Sequence, residues 1–519
     1  MLTFSSATVI IKIWSRTAIQ AAALASLMLS VGFLGGCGGG VSGGEQATVN
    51  SGASPTGARL FVNNITGDDT ANGITEPFQS LQYALDQLRP GDVLVIQSSG
   101  ADYFTDNTIE PIASVGDESL KTVGGFRLSN SGTISAPIII EGDITSRPVI
   151  NQRQEGFASD KSDAVLGLLL DCVSHIVIRN LEIKNVNEAG ISSSIEGACE
   201  THNITLEGNY IHHVYGAKYV GGIRLMGVSD VVIRKNEISD VFSQLDSEES
   251  ELIRTGRGLS NIMIDSNTFT NLDRGVIINA QGLVSPAFSR NNEESVSNVQ
   301  INNNTFQQVN KAVNFHSQIA DASASETTKT GVFKGIDVSG NLFFDVDSAV
   351  LAELGDTGYQ SESFCLFNNN FIDTASTVVD ISGVKHLEIF NNIFMRPDED
   401  LLVTRSPANS LLENSIAYSD YNLYWLPTEF LSWQLDANGP SDTFFPDLPN
   451  WQSAESHPQL TTAPDVVSLN TDPQFIDPFN NDFRLSDSSP VLLAGLDGVS
   501  IGYDYNFPLD FKSNCRILF

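Results

Sequence analysis

The sequence predicts an all-β chain, a right-handed single-stranded parallel β-helix with an N-terminal capping helix and an irregular C-terminal cap, and three observations predict it. The first is a string of two alternating apolar residues, an Asn and a further apolar residue, which recurs along the chain with Asn-to-Asn spacings of 27, 31, 37, 37, 28, 23 and 30. The second is another period-two segment about nine residues after that Asn in most repeats, at Val276, Val313 and Val350. The third is composition: 41% hydrophobic and 17% charged residues with 42 Gly suit short strands and frequent turns better than a helical bundle. A repeat near thirty residues built from short alternating segments is the signature of a parallel solenoid.

From the start of the chain, Lys12 and Arg16 precede an apolar run from Ala18 to Leu34 that ends at Leu34-Gly35-Gly36-Cys37. This resembles a bacterial lipobox. Residues 1–36 are then a lipoprotein signal peptide, Cys37 is the acylated residue, and the Gly/Ser-rich stretch 37–57 is a flexible tether. Acyl chains would hold the protein on a membrane without a spanning helix, with the outer membrane or cell surface favoured because Gly38 replaces the retaining Asp. The body is expected over 58–425. Phe78, Leu81, Leu85 and Leu88 recur at helical spacing between Pro77 and Pro90 and predict the helix that lids the first coil.

Apolar strands at Val93–Ile96 and Ile138–Ile140 supply the first turns, and Ile176, Ile178, Leu181 and Ile183 form an early repeat with Leu in the Asn place. The ladder positions follow as Asn209, Asn236, Asn267, Asn304, Asn341, Asn369 and Asn392, with a degenerate copy at Asn422 and Tyr424. An Asn repeated at one bend can hydrogen-bond its counterparts on neighbouring coils and satisfy turn backbone that would otherwise be buried unpaired. Leucine-rich repeats have a shorter, Leu-dense period, and ankyrin and tetratricopeptide arrays need helices that these β-branched, Asn-rich coils do not provide. After Trp425 the pattern dissolves, and 426–519 is expected to close the solenoid irregularly.

Beyond Cys37, the chain has Cys172, Cys199, Cys365 and Cys515, too few for a disulfide framework and too dispersed for a metal site. Cys172 and Cys199 each precede an apolar strand by four or five residues, so they fall on consecutive coils about 4.8 Å apart, within reach of a disulfide. The formal net charge of −34 argues against nucleic acid as a partner and would also repel an acidic polysaccharide unless a local basic patch or a divalent cation offset it.

The segment from Phe61-Val62-Asn63 through Asp68, Gly73, Pro77-Phe78 and Pro90-Gly91-Asp92 resembles the opening of bacterial β-helix proteins of the pectin-lyase-like fold. Asp472-Pro473-Gln474-Phe475 and Asp482-Phe483-Arg484-Leu485 resemble their closing segment. Gly221-Gly222-Ile223-Arg224-Leu225 is similar to a strand in alginate and chondroitin lyases of the chondroitinase-B type, although the stretch before it, Ile191 to Glu207, has no Lys or Arg. The resemblance implies an extracellular polysaccharide as partner and β-elimination as the chemistry, with a non-catalytic adhesin and a glycoside hydrolase as alternatives.

Basic residues concentrate at Lys218, Arg224, Arg234, Lys235, Arg254, Arg257 and Arg274, about two coils, which could gather several on one face beside His212 and His213. Counting from each ladder Asn puts Arg274 and Lys311 in one column, and Asn279, His316 and Glu353 in another, with Asn314 beside them. A lyase needs a base and charge neutralisation, so Lys218, Arg224, Lys311 and His316 are the candidate catalytic residues. Arg254, Arg257, Arg274, Asn279, Asn314 and Glu353 are the candidate substrate-binding ones. The acidic run Asp246, Glu248, Glu249 and Glu251 is a candidate Ca²⁺ site, read mainly as a solvated charged loop.

Overall fold

The computed structural model describes residues 57–105, 108–109, 122–143, 145–154, 163–193, 201–216, 220–226, 228–243, 253–255, 259–282, 295–319, 332–353, 360–396, 400–405, 416–425, 433–435, 443–454 and 457–503. The expected signal peptide, Cys37 and nearly all of the tether lie outside them.

The described chain is a right-handed parallel β-helix with three walls. Wall A stacks twelve strands in parallel, from Arg59–Val62 through Ser174–Arg179, Val228–Arg234 and Val332–Ser339 to Ile416–Asp420. Wall B runs from Val149–Asn151 and Glu182–Val186 through Tyr210–Gly216 and Glu237–Ser243 to Leu423–Trp425. Wall C runs from Thr122–Leu128 through Ala189–Ser193, Gly221–Met226 and Val379–Ser382 to Trp433–Leu435. The long strands Thr268–Gly282 and Thr305–Ile319 pass from wall B into wall C without a break.

The tight corner between walls A and B is built by the repeated Asn. Asn236 Nδ2 donates to Leu206 O at 2.9 Å and to Asn267 Oδ1 at 3.0 Å, while its own Oδ1 accepts from Asn209 N–H and Nδ2–H at 2.9 and 3.0 Å. The same four bonds recur at Asn267, Asn304, Asn341, Asn369 and Asn392, so each buried amide is fully used. The ladder ends at Asn422, whose Nδ2 donates to Asp465 Oδ1 at 2.9 Å. Asp465 is fully buried and also accepts from Ser419 Oγ, Ser468 Oγ and Trp451 Nε1.

Two residues beyond each ladder Asn, the apolar residue turns inward. Phe269, Phe306, Phe343, Phe371, Phe394 and Tyr424 form one stack with centroid separations of 4.8 to 5.3 Å and nearly parallel rings. Trp433 and then Trp451 continue it into the C-terminal cap. Each such contact contributes roughly 0.5–1.5 kcal/mol beyond area burial.

The high Asn content has a second cause. Three files of residues adopt the left-handed conformation: His175, Asn203, Asp230, Asn261 and Asn298 near the start of the wall A strands, Gly208, Lys235, Ser266, Asn303 and Gly340 just before the ladder Asn, and Asn185, His213, Asp240 and Asn271 within the strands that carry wall B, four places after the ladder position. Asn, Asp and Gly tolerate this conformation best.

The helix Leu81–Asp86 is shorter than its sequence pattern, because Phe78 instead bridges Val62 in extended conformation, but Leu81, Ala84 and Leu85 join the core at its N-terminal end. Beyond residue 425 the parallel pairing continues for one more strand, Trp433–Leu435, before the helix Leu448–Gln452 seals the core with Trp451. Leu460 and Leu469 then bridge Ile416 and Leu423 at the end of the last coil, and the tail after them lies along the flank. The hairpin Phe475–Asp477 and Asp482–Leu485, with Leu469, Val491 and Ile501, covers Leu342, Ile372, Ile393, Met395 and Leu423 on the outside of wall B.

Cys172 and Cys365 are both disulfide-bonded. Six inter-coil steps, about 29 Å, separate their wall A strands, so they are not joined to each other and each partner lies outside the described residues, as do Cys199 and Cys515. A second bonded cysteine goes beyond the single pair expected from spacing.

Candidate functional site on the outer walls

On a parallel β-helix the walls' outer faces present side chains in files, one residue per coil. Wall C carries the file anticipated by counting. Arg254 pairs with Asn279, Asn279 with His316, His316 with Glu353, Glu353 with Ser382 and Ser382 with Arg405. These positions alternate with the core residues Ile278, Phe315, Ala352 and Ile381, which places them on the outward register. For Arg254, Asn279, His316, Glu353 and Arg405 the backbone register alone is described. Six coils in line span about 24 Å. Arg274 pairs with Lys311 and Lys311 with Ser348 at the beginning of the same wall.

Two residues back along each strand lies a neighbouring outward file, which is covered instead of open. Ser192, Arg224, Ile277, Asn314, Leu351 and Val403 are buried and Asp380 is half-buried, and among the described residues Asn314 Oδ1 has no hydrogen-bond partner. Asn314, expected to bind substrate, is therefore as covered as Arg224, and the expectation is corrected on the same ground.

Arg224 requires a correction. Expected to be catalytic, it is 3% exposed and ion-paired with Glu188, itself buried. A guanidinium held this way braces the strand; it does not meet a substrate. Three more residues of the lyase-like string then have a reason in the fold: Ile223 and Leu225 are core, and a Cβ at Gly222 would come within 2.6 Å of Ile238 Cγ2.

The basic cluster also needs correction, because its members do not share a face. Arg234 lies on wall A and bonds Glu207 at 3.0 Å, in a file where Glu141 likewise holds Arg59 and Arg179. Lys235 sits at the ladder corner, Arg224 and Arg254 on wall C, and Arg274 at the start of wall C. A spacing of a few residues moves a side chain to a different wall, so density along the chain is not density in space. Lys218 and Arg257 lie outside the described residues, as does the acidic run from Asp246 to Glu251. Among the described residues, no group of three or more His, Cys, Asp or Glu side chains is arranged to hold a metal ion.

Sequence reasoning passed over a cluster on wall B. Glu182 Oε1 accepts from Lys184 Nζ at 3.1 Å and lies 3.2 Å from His212 Nε2. Since a carboxylate only accepts, Nε2 carries the proton and the unprotonated Nδ1 accepts from His213 Nδ1–H at 2.5 Å. Burial, opposed by the Glu182 hydrogen bond, lowers the His212 pKa below the ordinary imidazole value. The ring of Tyr210 stacks on His212 at 4.1 Å. The column rule could have found this group: Glu182 and Tyr210 stand one residue after the ladder position, Lys184 and His212 three after it.

Residues 159–341 match the family model described as right handed beta helix region. No curated protein sequence matches the chain. Similar solved structures include a GH136 lacto-N-biosidase from Eubacterium ramulus, at 16% identity and TM-score 0.42 over 72% of this chain and 67% of that one. A rhamnogalacturonan lyase is similar at 11% identity and TM-score 0.41 over 72% and 83%, and the pectate lyase Pel9A at 14% and 0.37 over 86% and 96%.

Proposed function

We propose that the outer face of wall C binds an acidic extracellular polysaccharide and cleaves it by β-elimination, on a protein held at the cell surface through Cys37. The observation that carries this reading is the single file Arg254, Asn279, His316, Glu353, Ser382, Arg405 on successive coils. A straight row of polar positions suits a linear polymer lying across the coils. In this reading the two arginines meet sugar carboxylates and offset the repulsion that the −34 net charge exerts on an anionic chain. A carboxylate so neutralised lowers the barrier to removing the proton on the adjacent carbon. His316, an imidazole beside the Glu353 position, takes that proton, and Lys311 protonates the leaving oxygen. Asn279 hydrogen-bonds hydroxyls.

The test is to incubate the full chain with alginate, pectate and glycosaminoglycans and to follow unsaturated product by ultraviolet absorbance. The expected result is product from one acidic polymer, abolished in His316→Ala with binding retained. New reducing ends without ultraviolet product would make it a glycoside hydrolase. Binding without any cleavage would make it an adhesin.

A further inference from the structure

Wall B changes character along its length. In the later coils its outward files are apolar, Leu342, Phe344, Ile372, Ile393, Met395, Leu423 and Trp425, and the C-terminal tail covers them. In the earlier coils the same files hold Glu182, Lys184, Tyr210, His212, Glu237 and Ser239. There, five rings touch in sequence: Tyr210 on His212 at 4.1 Å, His212 on His213 at 4.7 Å, His213 on Tyr215 at 6.0 Å and Tyr215 on Phe242 at 6.1 Å. Arg147 lies over Tyr210 at 6.0 Å. Tyr210, Tyr215 and Phe242 are half-buried and His213 is exposed.

A run of aromatic faces on the outside of a sheet, bordered by groups that donate and accept hydrogen bonds, has a definite chemical complement. Pyranose rings present C–H groups on one face and hydroxyls around the rim. His213 adds a further sign: it occupies a left-handed position, φ 55°, where the coils on either side use Asn185 and Asp240. His, like Asn and Asp, is among the residues that adopt this conformation, and here its ring completes the run.

We propose that this strip is a second carbohydrate site, separate from the wall C file, and that it takes a neutral glycan. Charge decides the ligand class. The Lys184 charge is offset by Glu182 while two of its N–H donors remain, and Glu237 and Asp240 flank the rings, so Arg147 and Lys184 are outnumbered by carboxylates within a protein of net charge −34. An anionic sugar would be repelled here. The strip holds a glycan by ring stacking with Tyr210, Tyr215 and Phe242, while Glu182, Lys184 and His213 bond its hydroxyls.

The experiment titrates the full chain with hexasaccharides of β-1,4-glucan, β-1,4-mannan, β-1,4-xylan and alginate, measuring affinity calorimetrically. At least one neutral hexasaccharide is expected to bind, with affinity falling tenfold or more in Tyr210→Ala and in Tyr215→Ala, and with no change in His316→Ala. Tyr210→Phe, which keeps the ring and cannot disturb folding much, is expected to retain most of the affinity. Failure of every neutral hexasaccharide to bind, or binding indifferent to both tyrosine truncations, would overturn the proposal. Alginate binding that is lost in Arg254→Ala and unaffected by either tyrosine truncation, with no neutral hexasaccharide bound, leaves the wall C reading standing while this one falls.

Discussion

Replacing Asn267 by Ala tests the corner that organises the whole chain. Asn267 is 1% exposed. Its Oδ1 accepts from Asn236 N–H and Nδ2–H, and its Nδ2 donates to Ile233 O and Asn304 Oδ1. Truncation removes all four bonds and leaves at least two buried donors on Asn236 without acceptors. At about 1–3 kcal/mol for each orphaned group, the loss is about 2–6 kcal/mol. Asn298→Ala is the comparison: its Nδ2 bonds Asn261 Oδ1 at 2.9 Å on the exposed face, at φ 53°. Its Oδ1 also accepts from Gln300 Nε2 at 3.3 Å, and the substitution should cost only about 1–2 kcal/mol, the penalty of Ala in the left-handed region plus two solvated bonds. Urea unfolding followed by far-ultraviolet circular dichroism measures both. Asn267→Ala within about 0.5 kcal/mol of wild type, or no worse than Asn298→Ala, would refute the ladder as a source of stability.

Three further outcomes are expected. Asp337 is buried on the outside of wall A with Oδ1 unbonded, and burial pushes its carboxyl up to about 7. Because the folded value lies above the unfolded one, its contribution is intact below about pH 4 and is lost as pH rises towards 7, up to ~4 kcal/mol; Asp337→Asn should flatten the melting temperature between pH 4 and 8, and an unchanged slope would count against it. Arg224→Ala should destabilise by about 3–5 kcal/mol by stranding Glu188, with Arg224→Met combined with Glu188→Leu recovering most of that loss in thermal unfolding. Asp465→Ala strands four buried donors, so limited proteolysis should release the C-terminal tail while the earlier coils stay protected.

How much of this was legible in advance depends on whether a property repeats. The ladder Asn and the inward Phe two places later recur once per coil, so their period of about thirty residues could be read without coordinates. From it followed the register that sets His316 beside Asn279 and Glu353. The left-handed files were equally periodic, but their Asn and Asp residues were indistinguishable from ordinary turn polarity. Cluster density along the chain misled, since Arg224 and Arg234 are close in sequence and lie on different walls, C and A.

The amino-acid sequence by itself determined the coil and which residues occupy equivalent places on it, because a solenoid repeats its backbone and the apolar pattern repeats with it. Only the tertiary structure decided which of those equivalent places are open. Arg224 and Asn314 hold outward positions and are covered, Glu182 and His212 hold outward positions and meet, and Leu342 through Leu423 are sheltered by a tail that returns from the far end of the chain. Exposure depends on segments distant in sequence that fold back across the walls, and that is information no single repeat contains.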